Sequence, residues 1–402
     1  MLKFLKEVQI FSYIVGTKLI ITMLKKRFFY FVLFLLGFLN LSSQAQQYNP
    51  FYSLYGEFKS DAKEQLFFRL ENLNFAKNNE YNGQFVEGVT YIGYLATPKL
   101  VYYPTTNFRI EGGIRLQKYS GLSGFSESEP VFSIHYQANN KLSFILGTLN
   151  QDDNHHLHEA IFEPERFYRD GAENGLQALF KSERLDVDTW INWEQFIFQN
   201  DPFQEVFTFG LTSNFRINSS ESKHAFAIPL QVLFTHKGGE IDSSDSYKQT
   251  IGHFGTGLTY SKTLDHASIK KIDVDALAFL FNDNSSVKEF VYGRGHGFHF
   301  RIGAETEHSK LKLGYWLGDQ FNSSRGSALF QSVSTMGNNY MAKRRDILTA
   351  KYRIQKSITK GIMLGGQLDA YFETNLNQDF SYAASIFVKI NGEFFLKKLA
   401  WK

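Results

Sequence analysis

Beyond residue 46 the chain alternates apolar and polar residues with period 2, over stretches longer than ordinary strands. Successive side chains of a strand point to opposite faces, so this pattern predicts β-strands with one apolar and one polar face. In residues 107–117, Phe108, Ile110, Gly112, Ile114 and Leu116 share one face, and Arg109, Glu111, Gly113, Arg115 and Gln117 the other. The stretches 205–218, 223–236, 249–262 and 361–373 each run at least 13 residues. Soluble strands average about 5–6 residues, whereas tilted membrane strands need roughly 9–11. No apolar run beyond residue 46 has the length of a membrane helix, so entry into a bilayer requires a closed barrel that pairs every backbone polar group.

The connections alternate in length, as in bacterial barrels with short periplasmic turns and long external loops. Tight polar turns are predicted at 104–106, 138–140, 183–184, 218–222, 262–268, 308–309 and 356–360. Longer loops are predicted at about 75–85, 119–129, 151–173, 197–204, 237–247, 283–292, 318–344 and 374–379. This gives an all-β fold, a transmembrane antiparallel up-and-down barrel of about 16 strands with both termini periplasmic. The first strand is expected at about 64–74 and the last at about 380–392.

The N-terminus reads as an address. Lys25, Lys26 and Arg27 precede the apolar run from Phe28 to Leu39, followed by small residues Ser43 and Ala45 at a cleavage site. Twelve apolar residues span about 18 Å as a helix, short of a bilayer core of roughly 30 Å. Residues 23–45 are therefore expected to be a signal peptide, 1–22 an over-called start before Met23, and 46–402 the barrel. The N-terminal 45 residues hold six basic residues and one acid, which leaves 37 basic and 39 acidic residues beyond them. So small a net charge gives no reason to expect nucleic acid as a partner. The absence of cysteine excludes disulfides, thiolate metal sites and a thiol nucleophile.

The two faces separate by composition. Phe207, Phe209, Leu211, Phe226, Ile228, Leu230, Phe298, Phe300, Ile302, Leu364, Leu368, Ile386 and Val388 are expected to face lipid. The expected pore-lining set is Arg69, Arg109, Glu111, Arg115, Asp186, Asp188, Glu194, Arg216, Asp273, Asp275, Arg301, Glu305, Lys351 and Arg353. Glu71, His135, His299, Lys312, Asp369 and Glu373 share that face. A polar interior of sixteen strands implies water, and its near balance of acids and bases predicts weak charge selectivity. Tyr102, Tyr103, Tyr119, Tyr136, Tyr260, Tyr292 and Tyr315 lie near strand ends, where aromatic girdles form.

With these strands, the Phe- and Asn-rich composition and the Ala45-Gln46-Gln47 junction, the chain resembles the porin-like outer-membrane barrels of Gram-negative bacteria, above all those of Bacteroidetes. The resemblance covers roughly residues 50–400. It implies an outer-membrane location, with outer-membrane lipid, the barrel insertion machinery and small hydrophilic solutes as partners, and it adds a homotrimer as an expected assembly. Such barrels usually end on an aromatic residue; this chain ends Leu399-Ala400-Trp401-Lys402, leaving Phe394, Phe395 or Trp401 to serve.

Loop 151–173 is the densest candidate site. Asp152, Asp153, Glu159, Glu163 and Glu165 are expected to form a constriction facing Arg109 and Arg115, since the resemblance implies an inward-folded loop at this place. His155, His156 and His158 are ligand types for zinc, copper or nickel, but without an HExxH pattern they are a weak metal candidate, and no cofactor is expected. Asp186, Asp188, Asn192 and Glu194 with Trp190 and Trp193 could touch sugar, although residues two apart on a strand commonly line a lumen. No GxSxG is present, so the expectation is a barrel without enzymatic activity. Two functions are then expected: a channel for diffusion of small hydrophilic solutes, or a plugged barrel for surface-polysaccharide handling, assembly or adhesion.

Overall fold

The computed structural model describes residues 58–400 except 220, 221, 266, 267 and 378. The expected signal peptide at 23–45, the over-called start and Trp401 lie outside the described residues.

Sixteen antiparallel strands close into a barrel in which each pairs with its sequence neighbours and the first with the last. They are β1 (Gln65–Glu80), β2 (Thr90–Thr105), β3 (Phe108–Tyr119), β4 (Glu127–Gln137), β5 (Leu142–Thr148), β6 (Asn174–Lys181), β7 (Leu185–Gln195) and β8 (Val206–Arg216). The second half comprises β9 (His224–Lys237), β10 (Gln249–Thr263), β11 (Lys271–Asp283), β12 (Arg294–Glu305), β13 (Ser309–Asp319), β14 (Arg344–Thr359), β15 (Ile362–Glu373) and β16 (Phe380–Lys398). The short turns, the start of β1 and the end of β16 gather at one end of the barrel, and the eight longer loops at the other. Closure removes the edge strands and pairs each strand with both neighbours over their shared length.

Alternation sets the faces as read from sequence. In β8 Thr208 and Thr212 are buried inside, while Phe207, Phe209 and Leu211 point out. Phe226, Ile228, Phe298, Phe300, Ile302, Leu364 and Ile386 are exposed on the outer surface. Of the girdle tyrosines, Tyr103 and Tyr119 turn inward, because their positions in β2 and β3 have the inward parity; Tyr103 is fully buried and Tyr119 packs against Phe75. β1 runs to Glu80, six residues beyond the expected end, since the polar run Lys77-Asn78-Asn79-Glu80 pairs with β16 in register.

The interior changes character along the barrel axis. In β11 the inward residues are Asp273 and Asp275 near the short-turn end, then Leu277, Phe279 and Phe281. These meet Leu233, Ile251, Trp316, Ile347 and Tyr371 from other strands in one apolar core. Loops 149–173 and 320–343 supply its centre: Leu157, Ala160, Ile161, Phe162, Phe321, Leu329 and Phe330 are all buried. The loops also bond to each other, Ser327 N to Glu159 O at 2.8 Å, Glu163 N to Arg325 O at 2.8 Å, and Ser323 Oγ to Ile161 O at 3.0 Å. A uniformly polar, water-filled interior is thus corrected. At the long-loop end the lumen is a packed hydrophobic core, driven together as any globular core is. Two glycines make room for it: a Cβ on Gly297 would lie 2.2 Å from the Trp316 ring, and one on Gly210 at 2.2 Å from the Trp190 ring.

Candidate functional site

Near the short-turn end the expected lumen charges face inward and pair with one another. Arg69 reaches Glu111 at 3.0 Å and Glu393 at 2.6 Å; Lys99 bridges Glu71 and Glu111 at 2.9 and 2.6 Å; Arg109 meets Glu111 at 2.8 Å. A second group joins Arg301 to Asp275 (2.9 Å), Lys312 to Asp273 and Asp275 (3.0 and 2.6 Å) and Lys310 to Glu305 (3.4 Å). Arg216 pairs with Asp186 and Arg353 with Gln367, and at the long-loop end Arg325 pairs with Glu194. Buried charges are tolerated only when paired in this way.

The loop carboxylates do not face Arg109 and Arg115. Glu165 pairs with Lys77 at 2.9 Å, Glu159 with Lys351, Glu163 with Arg169, and Asp153 with His156. Asp152 faces a small void beside Glu71 and Lys99. Arg115 is held instead by Glu127 and Glu129 of β4, and Arg109 by Glu111 and His135. The reason is local: strand neighbours of opposite charge, Glu127 and Glu129 for Arg115 and Glu111 for Arg109, already hold both guanidinium groups.

The three imidazoles of the loop diverge. His156 is exposed. His155 is fully buried, with Nδ1 2.8 Å from Asp188 and Nε2 2.9 Å from Glu173, and its ring stacks on Trp190 at 3.8 Å. Burial pulls its pKa down, but the two carboxylates prevail and lift it to about 10, so the ring is a cation and no general base. His158 accepts at Nδ1 from Ala160 N at 3.1 Å, so its Nε2 donates to His299 Nδ1 at 2.9 Å, and His299 donates to Thr349 at 3.2 Å. No group of three or more metal-ligating side chains converges among the described residues.

His155 sits in a strained turn. Asp153, Asn154, His155 and His156 all have positive φ, at 51°, 56°, 52° and 59°. A left-handed turn of non-glycine residues costs roughly 1–2 kcal/mol per residue. The Asp188–His155–Glu173 clamp and the Trp190 stack offset that cost. Retained strain of this sort is a feature of working sites.

The barrel wall is lowest beside this turn. β5 and β6 have seven and eight residues, fewer than the roughly 9–11 needed to cross a bilayer. β4 pairs with β5 only through Ser133–Gln137, and β6 ends at Asn174. Above that level no strand stands between β4 and β7, and the returning segment 170–173 fills the gap, with Ala172 N donating to Glu129 at 2.6 Å. A cavity of about 380 Å³ lies there. Its lining includes inward residues Glu127, Glu129 and Glu194, loop residues His155, Arg166, Phe167 and Glu173, and outward-facing Asn174 and Trp193. Residues of both faces line it, so it passes over the lowered wall. Exposed Phe132, Phe144, Leu146 and Leu176 form an apolar outer surface below it.

Glu127, Glu129 and Glu173 were not foreseen. Their parity was readable, but a gap appears only when pairing is known. The Ser133–His135 pair, 3.0 Å apart, was also missed. It is no serine–base couple: Arg109 donates to His135 Nδ1, so the Nε2 facing Ser133 carries a proton.

A family model described as lipid A 3′-O-deacylase-type matches residues 58–399. No curated protein matches the chain. Similar solved structures include the outer membrane protein OprD of Pseudomonas aeruginosa, at 10% identity and TM-score 0.47, over 86% of this chain and 100% of that one. The anion-selective porin of Comamonas acidovorans matches at 8% identity and TM-score 0.47, over 81% and 98%. The trimer form of OmpT from Vibrio cholerae matches at 6% identity and TM-score 0.46, over 81% and 99%. These likenesses extend no further than the porin-like shape. A closed barrel with an apolar exterior, in this family, is an outer-membrane protein. The expectation of a barrel without enzymatic activity is overturned, because the family carries the description of an enzyme. The missing GxSxG was no guide: that motif needs a strand–turn–helix elbow, which a barrel wall cannot offer.

Proposed function

The chain belongs to the lipid A 3′-O-deacylase-type family, and from that premise we propose that it hydrolyses an acyl ester of an outer-leaflet glycolipid in the cavity above β5 and β6. The long loops face outside in this reading. The observation that carries it is the lowered wall: a lipid can move sideways from the leaflet, over Leu146 and Leu176, into a cavity of about 380 Å³ rich in acid–base groups.

Among the described residues the lining carries carboxylates, amides and an arginine but no hydroxyl, and in this reading water is the nucleophile. Glu127, Glu129 or Glu173 takes a proton from water as its oxygen bonds to the acyl carbon. Arg166, in the lining, holds the developing oxyanion; the His155 cation, whose two N–H groups are taken by Asp188 and Glu173, contributes only its charge. Collapse breaks the bond between acyl carbon and sugar oxygen, and the carboxyl group returns its proton to that oxygen. Fatty acid and a sugar hydroxyl are the products. Purified full-length protein mixed with lipid A vesicles should release fatty acid, and Glu127→Gln, Glu129→Gln and Glu173→Gln together should cut the rate at least a hundredfold. Unchanged lipid in mass spectra, with the wild-type protein folded, would reject the reading.

A second reading, diffusion of small hydrophilic solutes, is favoured by the barrel's width and its charged short-turn half. It requires loops 149–173 and 320–343 to leave the lumen. Conductance in a planar bilayer decides it: discrete open steps from the wild type support a channel, and silence supports a closed barrel.

A further inference from the structure

A second cavity, of about 410 Å³, lies at the long-loop end between β7–β10 and loop 320–343. Glu194 borders both cavities, so the two adjoin. Among the described residues, three polar atoms around the second one are buried with no protein partner: Thr235 Oγ1, Ser324 Oγ and Arg325 Nε. Thr235 is only 8% exposed, on the inward face of β9. Buried polar atoms are normally hydrogen-bonded, so three orphans around one cavity are open positions for a polar ligand.

The charges there say which kind. Arg325 is already paired with Glu194, and Lys237 and Glu289 add one charge of each sign to the lining. Gln195 and Gln249 contribute amides, Val206 and Ile251 small apolar edges. An anion would meet two carboxylates, and a cation two bases. A neutral ligand carrying many hydroxyls, each both donor and acceptor, suits orphaned hydroxyls and amides alike. The neighbouring loops expose rings: Phe198 at 72% and Tyr247 at 65%, three and two residues along the chain from the lining residues Gln195 and Gln249. Exposed aromatic faces stack on sugar rings through their apolar surface.

We propose that this cavity binds a neutral stretch of saccharide. The inference deepens the glycolipid reading, since sugar attached to a lipid in the first cavity would pass Glu194 into the second. The site itself is defined by residues that the hydrolysis does not use.

The test is binding by the full chain in detergent, without lipid. Probes are neutral hexose and N-acetylhexosamine tetrasaccharides, their phosphorylated counterparts, and inorganic phosphate, followed by saturation-transfer NMR and calorimetry. The wild type should bind neutral tetrasaccharides. Thr235→Val with Ser324→Ala, which leaves the Arg325–Glu194 pair intact, should weaken them about tenfold through two lost hydrogen bonds. Heat-modifiable gel mobility reports that the variant barrel is folded; if it is not, each single variant should weaken binding about threefold. Absence of neutral binding, affinity unchanged in the folded variants, or preference for phosphate would each overturn the proposal. Neutral binding without fatty-acid release keeps this site and removes the hydrolysis.

Discussion

The two halves of the lumen are closed by opposite means. At the long-loop end, Trp316, Phe279, Phe281, Phe321 and Phe330 exclude water by packing. At the short-turn end, Arg69, Lys99, Arg109, Glu71, Glu111 and Glu393 fill space as a mutually neutralised network. The difference lies in how each half fails. A packed core loses stability in proportion to the volume removed. A charge network is worth little against an apolar replacement, but costs much when one partner is taken away. The catalytic proposal falls between them, where a strained turn meets the lowered wall.

The largest effect is expected in the packed half. Trp316 is fully buried, its ring 5.1 Å from Phe330 and 5.3 Å from Phe321. Trp316→Ala should cost about 3–5 kcal/mol, read as a lower denaturant midpoint in heat-modifiability gels. Next comes the charged half. Arg69→Met alone should cost about 3 kcal/mol by taking the guanidinium from Glu393, whereas Arg69→Met with Glu393→Leu, which leaves Glu111 to Lys99 and Arg109, should recover most of it. If the single and double variants lose the same stability, the two halves do not differ as described.

A smaller, reversible effect is expected at the boundary. His155 has a pKa raised to about 10, so its clamp stabilises fully below the unfolded value of about 6.5 and is lost as pH rises through 10. The carboxyl of Glu173 lies below its ordinary value, burial opposing but the His155 charge prevailing, so acid releases the clamp only when that group is protonated. The Trp190 emission should change above pH 9 and stay constant from pH 6 to 8; Trp190→Phe identifies its signal. Smallest is Glu159→Gln. Its partner Lys351 is 28% exposed, and such a pair is worth about 1 kcal/mol or less.

Alternation made the faces legible because a strand's period is fixed at two, and Arg109, Asp188, Phe209 and Phe300 stand where parity puts them. The apolar core was legible in principle: along β11 the inward series passes from Asp273 and Asp275 to Leu277, Phe279 and Phe281. What sequence could not show is how far β5 and β6 rise, since that depends on where pairing with β4 and β7 stops. Nor could it show that His155 would find two carboxylates from distant positions, Glu173 and Asp188, while His158 found His299. The cavity is made by those long-range choices, so Glu127, Glu129 and Glu173 were missed although its loop and Glu194 were singled out.

The most direct measurement replaces Phe167, which lines the cavity inside the barrel, with p-benzoylphenylalanine and irradiates living cells. The account predicts an adduct whose mass is that of an acylated glycolipid, and none when Glu127 and Glu129 are replaced by bulky Trp to fill the gap. An irradiated barrel that carries no lipid, with the protein folded in the outer membrane, would contradict it.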